Sequence, residues 1–541
     1  MTETTYATER LDHLGIVAGV CHEIGLIEQI DACIGPTKRK VSVGEAVQAM
    51  VINALGFVGR PLYLTPEFFD NKPVDRLIRA GLEAEDLNDD SLGRALDQLY
   101  ASGVTEVFGQ VASHALKVYG IAHRFYHLDS TTFSLHGEYE GDNEPEAITI
   151  THGHSKDHRP DLKQAVLSLV CSYRSRLPVW LEALSGNEAD KTRFPKTIKA
   201  YVDQLDEGET TYFIADSALY SQKNIQELSQ VKWITRVPAT LKAVQTLYQE
   251  LEPAHMRPAR AKGYRIAELC STYGGVRQRW LVVFSAAAYE KEAQHLQQQV
   301  AEEYQEATKA LQRLKKREFD TVEEAEQRID ELREAWAYHD LTYELAPVPH
   351  YGHRGRPRKG EEPERLGWQV DEGEVTQDQE TIEQTRRSKG KFVLATNELR
   401  AEEMSADKLL EDYKSQGESV ERGFRFLKDP LFFADSLFLK KPARIMALLM
   451  VMGLSLLVYA LAERKLRTQL AEHDEHIPDQ KGQPTQRPTM RRVFQMFEGI
   501  DVLLISTATG TERQVLNLDP VHHKILKLLG PYVQKCYLVD T

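Results

Sequence analysis

From Leu11 to Ile34 apolar residues recur at helical spacing, and they do so again over Val43–Phe57, behind Ser42 as a candidate N-cap. Asp89-Asp-Ser-Leu92 opens a further helix through Tyr100, so residues 1–118 are expected to form a helical N-terminal domain. Such a domain could bind DNA, dimerise or only pack, and no recognition-helix motif decides among these. From residue 119 the pattern changes to strands. Phe125–Leu135, Ala165–Ser172 and Val179–Ser185 are rich in β-formers, with a turn over Tyr173–Pro178 joining the last two. A helix at Lys191–Leu205, a strand from Tyr212, a short helix near Gln222–Ser229 and a strand at Lys232–Val237 follow. Three strands, helix, strand, helix, strand is the order expected of an RNase H-like α/β core. Tyr264–Ser271 and Arg277–Phe284 then predict a hairpin turned at Gly274-Gly275.

Beyond that hairpin the period changes again. Leu296, Val300, Tyr304, Ala307, Leu311 and Leu314 recur at 4-4-3-4-3 spacing, a coiled-coil stripe. Thr321 with Glu324 makes a capping box for a second helix running to about Trp336. Together they predict a helical hairpin, binding a partner or packing on itself. Residues 347–390 are rich in Pro, Gly and charge and read as a linker or mobile loop, before Phe392-Val-Leu-Ala395 resumes strand character. Ile445 to Ala462 is 18 almost wholly apolar residues, preceded by Lys440, Lys441 and Arg444 and followed by Arg464, Lys465 and Arg467. That length meets the lower threshold for a membrane span. Basic residues at both ends give no topological bias, and no other segment is comparably apolar, so a buried core helix and no membrane partner are expected.

The division that follows is a helical domain at 1–118, a first part of the catalytic core at 119–285 and an insertion at 286–390 with a helical hairpin and basic linker. A second part of the core at 391–470 and a C-terminal region at 471–541 complete it. The fold class is thus α/β: an RNase H-like mixed sheet with an N-terminal helical domain and a coiled-coil-containing insertion. At 541 residues, more than one domain is the natural expectation. Five scattered cysteines without CxxC spacing argue against a disulfide framework or structural zinc and fit a reducing, cytoplasmic setting. The N-terminus lacks a basic region followed by an apolar stretch, so no secretory signal is expected.

A net charge of −14 would ordinarily argue against a nucleic-acid partner, but its location matters. Residues 290–344 carry −7 and residues 361–383 carry −8, leaving the rest of the chain near +1. Local Lys/Arg placement, not the total, governs nucleic-acid affinity. Within the expected linker, His353-Arg-Gly-Arg-Pro-Arg-Lys359 resembles an AT-hook core, in which Arg354, Arg356, Arg358 and Lys359 would lie along a narrow minor groove.

Three carboxylates far apart in sequence carry the candidate chemistry. Asp129 lies in the first core strand, Asp216 ends the Tyr212 strand, and Glu421 sits in a basic helical segment. If they converge, they can hold a pair of hard divalent cations for in-line phosphoryl transfer. Glu421, Arg425 and Lys428 fall at i, i+4 and i+7, so a carboxylate for metal shares a helix face with two cations for phosphate. In isolation the same spacing describes an exposed Glu–Arg pair on an amphipathic helix. A competing reading is a zinc or di-metal hydrolase using His152, His154, Asp157 and His158, close to an HxHxDH metal motif but one residue too long before the aspartate. A third is a non-catalytic DNA-binding protein on a degenerate core; with all three carboxylates present, nothing favours it.

The phrases His127-Leu-Asp-Ser-Thr131, His154-Ser-Lys-Asp-His-Arg-Pro-Asp-Leu-Lys163, Ile214-Ala-Asp-Ser217 and Tyr413…Val420-Glu-Arg-Gly-Phe-Arg425…Lys428 resemble the motifs of bacterial insertion-sequence transposases. These are DDE enzymes, of the subgroup with a Tyr/Arg/Glu/Lys signature. The resemblance covers roughly residues 119–465 and implies an RNase H-like core interrupted before its glutamate. It implies Asp129, Asp216 and Glu421 as ligands of two Mg²⁺ or Mn²⁺ ions, with Tyr413, Arg425 and Lys428 assisting. It also implies DNA as partner, both terminal inverted repeats and target, handled by a homodimer. Lys156, His158, Arg159 and Lys163 would line the DNA groove. Gln416 departs from the signature, standing where an arginine is expected, and Arg422 or Arg425 would take over that phosphate contact.

Overall fold

In the computed structural model the first strand, β1 (Thr5–Arg10), pairs antiparallel with Asp501–Thr507, so the two ends of the chain share one small sheet. Residues 4–57, 62–121, 124–139, 147–173, 177–205, 210–356, 359–360, 362–429, 439–507 and 510–538 are described. Arg358, the middle of the expected Tyr173–Pro178 turn and the side chains of 416–420, Gln416 included, lie outside them.

The apolar pattern of residues 11–34 resolves into two helices, Leu14–Glu23 and Leu26–Ile34. The break falls at Gly25, whose φ of 58° is the left-handed conformation that glycine adopts without strain. Val43–Leu55 starts at Ser42, whose hydroxyl accepts from the Glu45 N–H while the Glu45 carboxylate accepts from the Ser42 N–H. Asp89–Ala101 begins where the sequence opens it, with the Asn88 side chain accepting from the Ser91 N–H as its cap.

The core begins with a meander, β2 (Phe125–Leu135), β3 (Lys163–Ser172) and β4 (Pro178–Ser185), followed by a helix, Asp190–Val202. β5 (Tyr212–Ala215) pairs parallel to β2, and β6 (Lys232–Val237) pairs parallel to β5. The resulting order, β4-β3-β2-β5-β6, is that of an RNase H-like sheet. β7 (Arg257–Pro258), β8 (Tyr264–Tyr273) and β9 (Val276–Ser285) extend the sheet beyond it.

The chain then leaves the sheet. Helix Ala286–Leu314 is 29 residues long and is followed by β10 (Glu318–Phe319), helix Val322–Ala335, β11 (His339–His350) and β12 (Arg365–Gln377). Here the structure corrects two expectations. The stripe of Leu296, Val300, Ala307, Leu311 and Leu314 is buried, but its distal half packs with Phe319, Ile329, Leu341 and Val370 of a β10-β12-β11 sheet rather than forming a simple helical hairpin. Tyr304 of the stripe is exposed. Residues 347–390 are not a linker: they complete the β11–β12 hairpin and form helix Gln379–Ser388. Pro347 and Pro349 concealed the strand, because proline cannot donate to a ladder; β11 is an edge strand, where this is tolerated.

β13 (Lys391–Thr396) returns to pair with both β9 and β6, closing a nine-stranded sheet. The apolar run forms part of helix Pro442–Glu472, which is the spine of the largest hydrophobic core. It contacts the Val43–Leu55, Asp89–Ala101, Val104–Val118 and Pro520–Leu529 helices and β4. A Cβ at Gly453 would stand 2.3 Å from Leu181 Cδ1, so glycine permits the helix to lie directly on β4.

Candidate active site

Asp129 and Asp216 come together through sheet register. β2 and β5 are aligned at Phe125–Tyr212, Tyr126–Phe213 and His127–Ile214. Continuing that parallel register by two residues sets Asp129 beside Asp216, just past the end of β5. The Ser130 N–H donates to Asp129 (2.7 Å), the Ala218 N–H donates to Asp216 (2.9 Å), and the Thr235 hydroxyl donates to the Asp216 carbonyl (2.6 Å). Burial pushes the Asp129 carboxyl up to about 6; Lys156 opposes this, while Asp216 and Asp190 reinforce it. Burial also raises Asp216, with Asp190 adding to it.

Glu421 enters from the helix Gln416–Leu427, which packs on β2 and β3 through Phe424 and Leu427. The junction before it is held by His127, a fully buried residue of β2. Its Nε2 lies 3.2 Å from the Asp412 carbonyl and 3.4 Å from the Ser415 hydroxyl. Tyr413, in the last turn of the helix Ala406–Lys414, lies near the three acids. Its phenol is raised by burial first; Arg236 opposes this, and the negative charges of Asp216, Asp129 and Glu421 all add to it. One side chain thus feels all three carboxylates. Glu421 and Arg425 are both exposed on this amphipathic helix, and neither makes an ion pair among the described residues.

The loop between β2 and β3 closes over the same place. Gly153 is pressed against the Gly186 carbonyl, which a Cβ would approach to 2.1 Å. Farther along, the Lys156 N–H donates to Thr132 (3.1 Å). The Lys156 ammonium donates to the Ser130 carbonyl and hydroxyl (2.8 Å each) and to Asp190 (3.0 Å), and lies 3.6 Å from Asp129. Asp157 is ion-paired with Lys428, whose ammonium also lies 5.8 Å from the centre of the Phe133 ring. Arg159 is held by Asp161 through two hydrogen bonds, and that guanidinium pulls the Asp161 carboxyl down to about 2. His158 is exposed, with a left-handed φ of 57°, and Lys163 begins β3.

Among the described residues no three His, Cys, Asp or Glu side chains stand close enough to cage a metal ion as they are. The His152/His154/Asp157/His158 set does not assemble, since Asp157 is committed to Lys428. The Asp129/Asp216/Glu421 donors nevertheless suit a hard cation. They are carboxylate oxygens only, the two aspartates are desolvated and adjacent, and the Lys156 ammonium is already drawn to Asp129. Magnesium is commonly held by one or two carboxylates completed by substrate phosphate and water, so a closed protein cage is not required.

Three residues that the sequence did not single out belong to this neighbourhood. Asp190 heads the helix after β4 and binds both Lys156 and the Ser130 hydroxyl. Arg236 follows Thr235, the β6 partner of Ala215, and its guanidinium lies 5.4 Å from the centre of the Phe392 ring, beside Tyr413. Thr235 fixes the Asp216 carbonyl. No local motif marks any of them, and only the strand register brings them in. Arg422, by contrast, points to the other side of its helix and pairs with Glu463 (3.1 Å). At the far end of the β11–β12 hairpin Arg354, Arg356 and Lys359 are exposed and unpaired among the described residues.

The chain is similar to known families over most of its length. The family described as "Transposase DDE domain" matches residues 122–459, and a domain of unknown function (DUF4277) matches residues 6–113. No curated protein matches. Among solved structures, the cryo-EM structure of the piggyBac transposase synaptic complex with hairpin DNA is similar at 9% identity and a TM-score of 0.37, covering 91% of this chain and 82% of that one. The DDE match spans more than half of the chain and includes all three carboxylates. The chain belongs to the DDE transposase family, enzymes of DNA transposition that use divalent metal ions.

Proposed function

We propose that Asp129, Asp216 and Glu421 hold two Mg²⁺ or Mn²⁺ ions and that the chain cuts and rejoins DNA at the ends of an insertion sequence. The observation that supports this most directly is the continued β2–β5 register, which sets Asp129 beside Asp216, together with a Tyr413 phenol that feels Glu421 as well. Bound ions would lower the pKa of the attacking oxygen and offset charge on the leaving one. In the first step water attacks the phosphorus at the element's end and the bond to the 3′ oxygen breaks. The freed 3′-OH then attacks a target phosphodiester, displacing that strand's 3′ oxygen. No bond to protein is formed, so Tyr413 positions rather than attacks.

Arg425, beside Glu421 and unpaired among the described residues, is the cation most available to a phosphate oxygen. Lys428 is held by Asp157 and reaches phosphate by exchanging that partner. Arg236 stands near Tyr413 and suits the contact that Gln416 cannot supply. Lys156, His158, Arg159 and Lys163 border the approach from the β2–β3 loop, and Arg354, Arg356 and Lys359 at the hairpin end, with Arg358 beside them in sequence, form a minor-groove contact. The partners are terminal inverted repeats and target DNA, handled by a homodimer in the cytoplasm. This setting fits five free cysteines and an apolar helix buried within the protein.

Asp129→Asn, Asp216→Asn and Glu421→Gln should each abolish metal-dependent cleavage of a duplex carrying the element's end while leaving duplex binding in place. Cleavage that survives any one of these changes sinks the triad.

A further inference from the structure

The helix Gln416–Leu427 has a second working side. Glu421, Arg425 and Lys428 share one face, and Phe424 and Leu427 enter the core. Arg422, Gly423 and Phe426 face away from both and line a cleft of about 750 Å³. Its other walls are helix Pro442–Glu472 and the segment around Arg487.

Four arginines line this cleft: Arg422, Arg464, Arg467 and Arg487. Glu463, which is buried, accepts from Arg422 (3.1 Å), from Arg467 (2.9 Å) and from the Met490 N–H (3.0 Å). One carboxylate therefore serves two guanidiniums and is saturated. Glu472, also on the lining, accepts from Gln469. Arg464 is half-buried and has no partner among the described residues; burial alone acts on it, lowering its pKa, with no carboxylate to offset the loss of water. Arg487 likewise has no side-chain partner among the described residues. A half-buried unpaired charge is costly unless a ligand completes it. Planar guanidiniums converging on an open cleft match the oxygens of successive phosphodiesters better than a single small anion.

We propose that the Arg422–Arg464–Arg487 cleft is a binding site for the phosphodiester backbone of duplex DNA, continuous across one helix with the Glu421 face. A duplex reaching the carboxylates would then be gripped on both sides of that helix, with Arg422 exchanging Glu463 for phosphate. The choice of DNA as ligand rests on the transposase reading.

The full-length chain carrying Arg464→Met tests this, with a labelled mixed-sequence duplex of about 30 base pairs as the probe. Affinity should fall roughly five- to tenfold, and the slope of log affinity against log salt should shrink by about 1. The melting temperature should hold or rise, because an unpaired half-buried charge has been replaced by an apolar chain of similar length. Unchanged affinity and slope would overturn the proposal, as would a lower melting temperature with unchanged affinity, which marks a structural arginine. If melting temperature and affinity fall together, Arg487→Met decides: a smaller salt slope supports the cleft and an unchanged one rejects it. Glu421→Gln in the same assay separates the two readings. If it binds but does not cut while Arg464→Met binds like the parent chain, the cleft falls and the catalytic reading stands.

Discussion

Lys156 donates to Asp190 at 3.0 Å while its ammonium lies only 3.6 Å from Asp129. A lysine thus stands where a divalent ion would need to approach, with Asp190 holding it to one side. Asp190→Asn should let the ammonium settle on Asp129 and weaken Mn²⁺ binding by the metal-free, DNA-free protein. Lys156→Met should strengthen it. Each change is worth about 1 kcal/mol, roughly fivefold, for partly exposed charges. Calorimetric Mn²⁺ titration reads this directly, and equal affinity in parent and both variants would show that Lys156 does not compete for the site.

The raised carboxyl of Asp129 makes a stability prediction of definite sign. Because folding pushes it up to about 6, the ionised form is disfavoured in the native state. The penalty is full above that pH and disappears as pH falls toward the ordinary carboxylate value near 4. Asp129→Asn should therefore melt higher than the parent in EDTA at pH 8, by up to about 3 kcal/mol of stability, and show little gain at pH 4. An equal gain at both pH values would mean that packing, not charge, is responsible.

His13 behaves in the opposite sense. It is buried, stacked on Phe494 at 4.2 Å between ring centres, with Nε2 2.8 Å from the Leu55 carbonyl, and burial lowers it to about 4. A histidine depressed in the fold contributes stability above its unfolded value near 6.5, and that contribution is lost as pH falls toward 4. Its share is up to about 3 kcal/mol. Denaturant titrations from pH 7 to pH 4 should show a steeper loss for the parent than for His13→Gln, even if the variant starts lower.

The hairpin end should be separable from folding. Arg354→Ala with Arg356→Ala should reduce the salt slope of duplex binding by about 2 and weaken A·T-rich duplexes more than G·C-rich ones. The melting temperature should not move, since the insertion's apolar cluster runs from Ala307 to Val375 and excludes this end. Equal loss on both duplexes would reject minor-groove reading in favour of a nonspecific phosphate contact.

Gly453→Val probes the apolar helix. Its side chain would collide with Leu181, so about 1–3 kcal/mol of stability should be lost. The parent should also be recovered without detergent. A helix facing lipid would accept valine freely and stay with the membrane fraction.

Much of the core could be read from residues alone because its signals are local. The run of β-formers around Asp129, the Ser42 cap, the Thr321 cap and the Gly274-Gly275 turn each depend on neighbours a few positions away. The β11–β12 hairpin is hidden in the sequence because its prolines and acidic residues are those of a loop; the prolines are tolerated because they fall on the edge strand β11. Asp190 and Arg236 were hidden for a different reason. Each is an ordinary surface residue type, and its place near Asp129 or Asp216 depends on helix and strand positions fixed by the sheet. Sequence leaves Arg422 and Arg425 as alternatives for the phosphate contact, and helical geometry separates them: Arg425 shares the Glu421 face, while Arg422 lies a quarter-turn and more away and pairs with Glu463.

The 105 residues between Ser285 and Lys391 leave and return at one place, where the Ser285 N–H donates to the Gly390 carbonyl (2.8 Å) and Lys391 sits opposite Phe284. From the standpoint of the nine-stranded sheet, this excursion is equivalent to a tight turn. The segment is therefore a cassette: it could be shortened to a two-residue connection, or exchanged for another module, without re-registering β9 against β13. A reporter domain placed there should leave the pairing of β9 with β13 untouched.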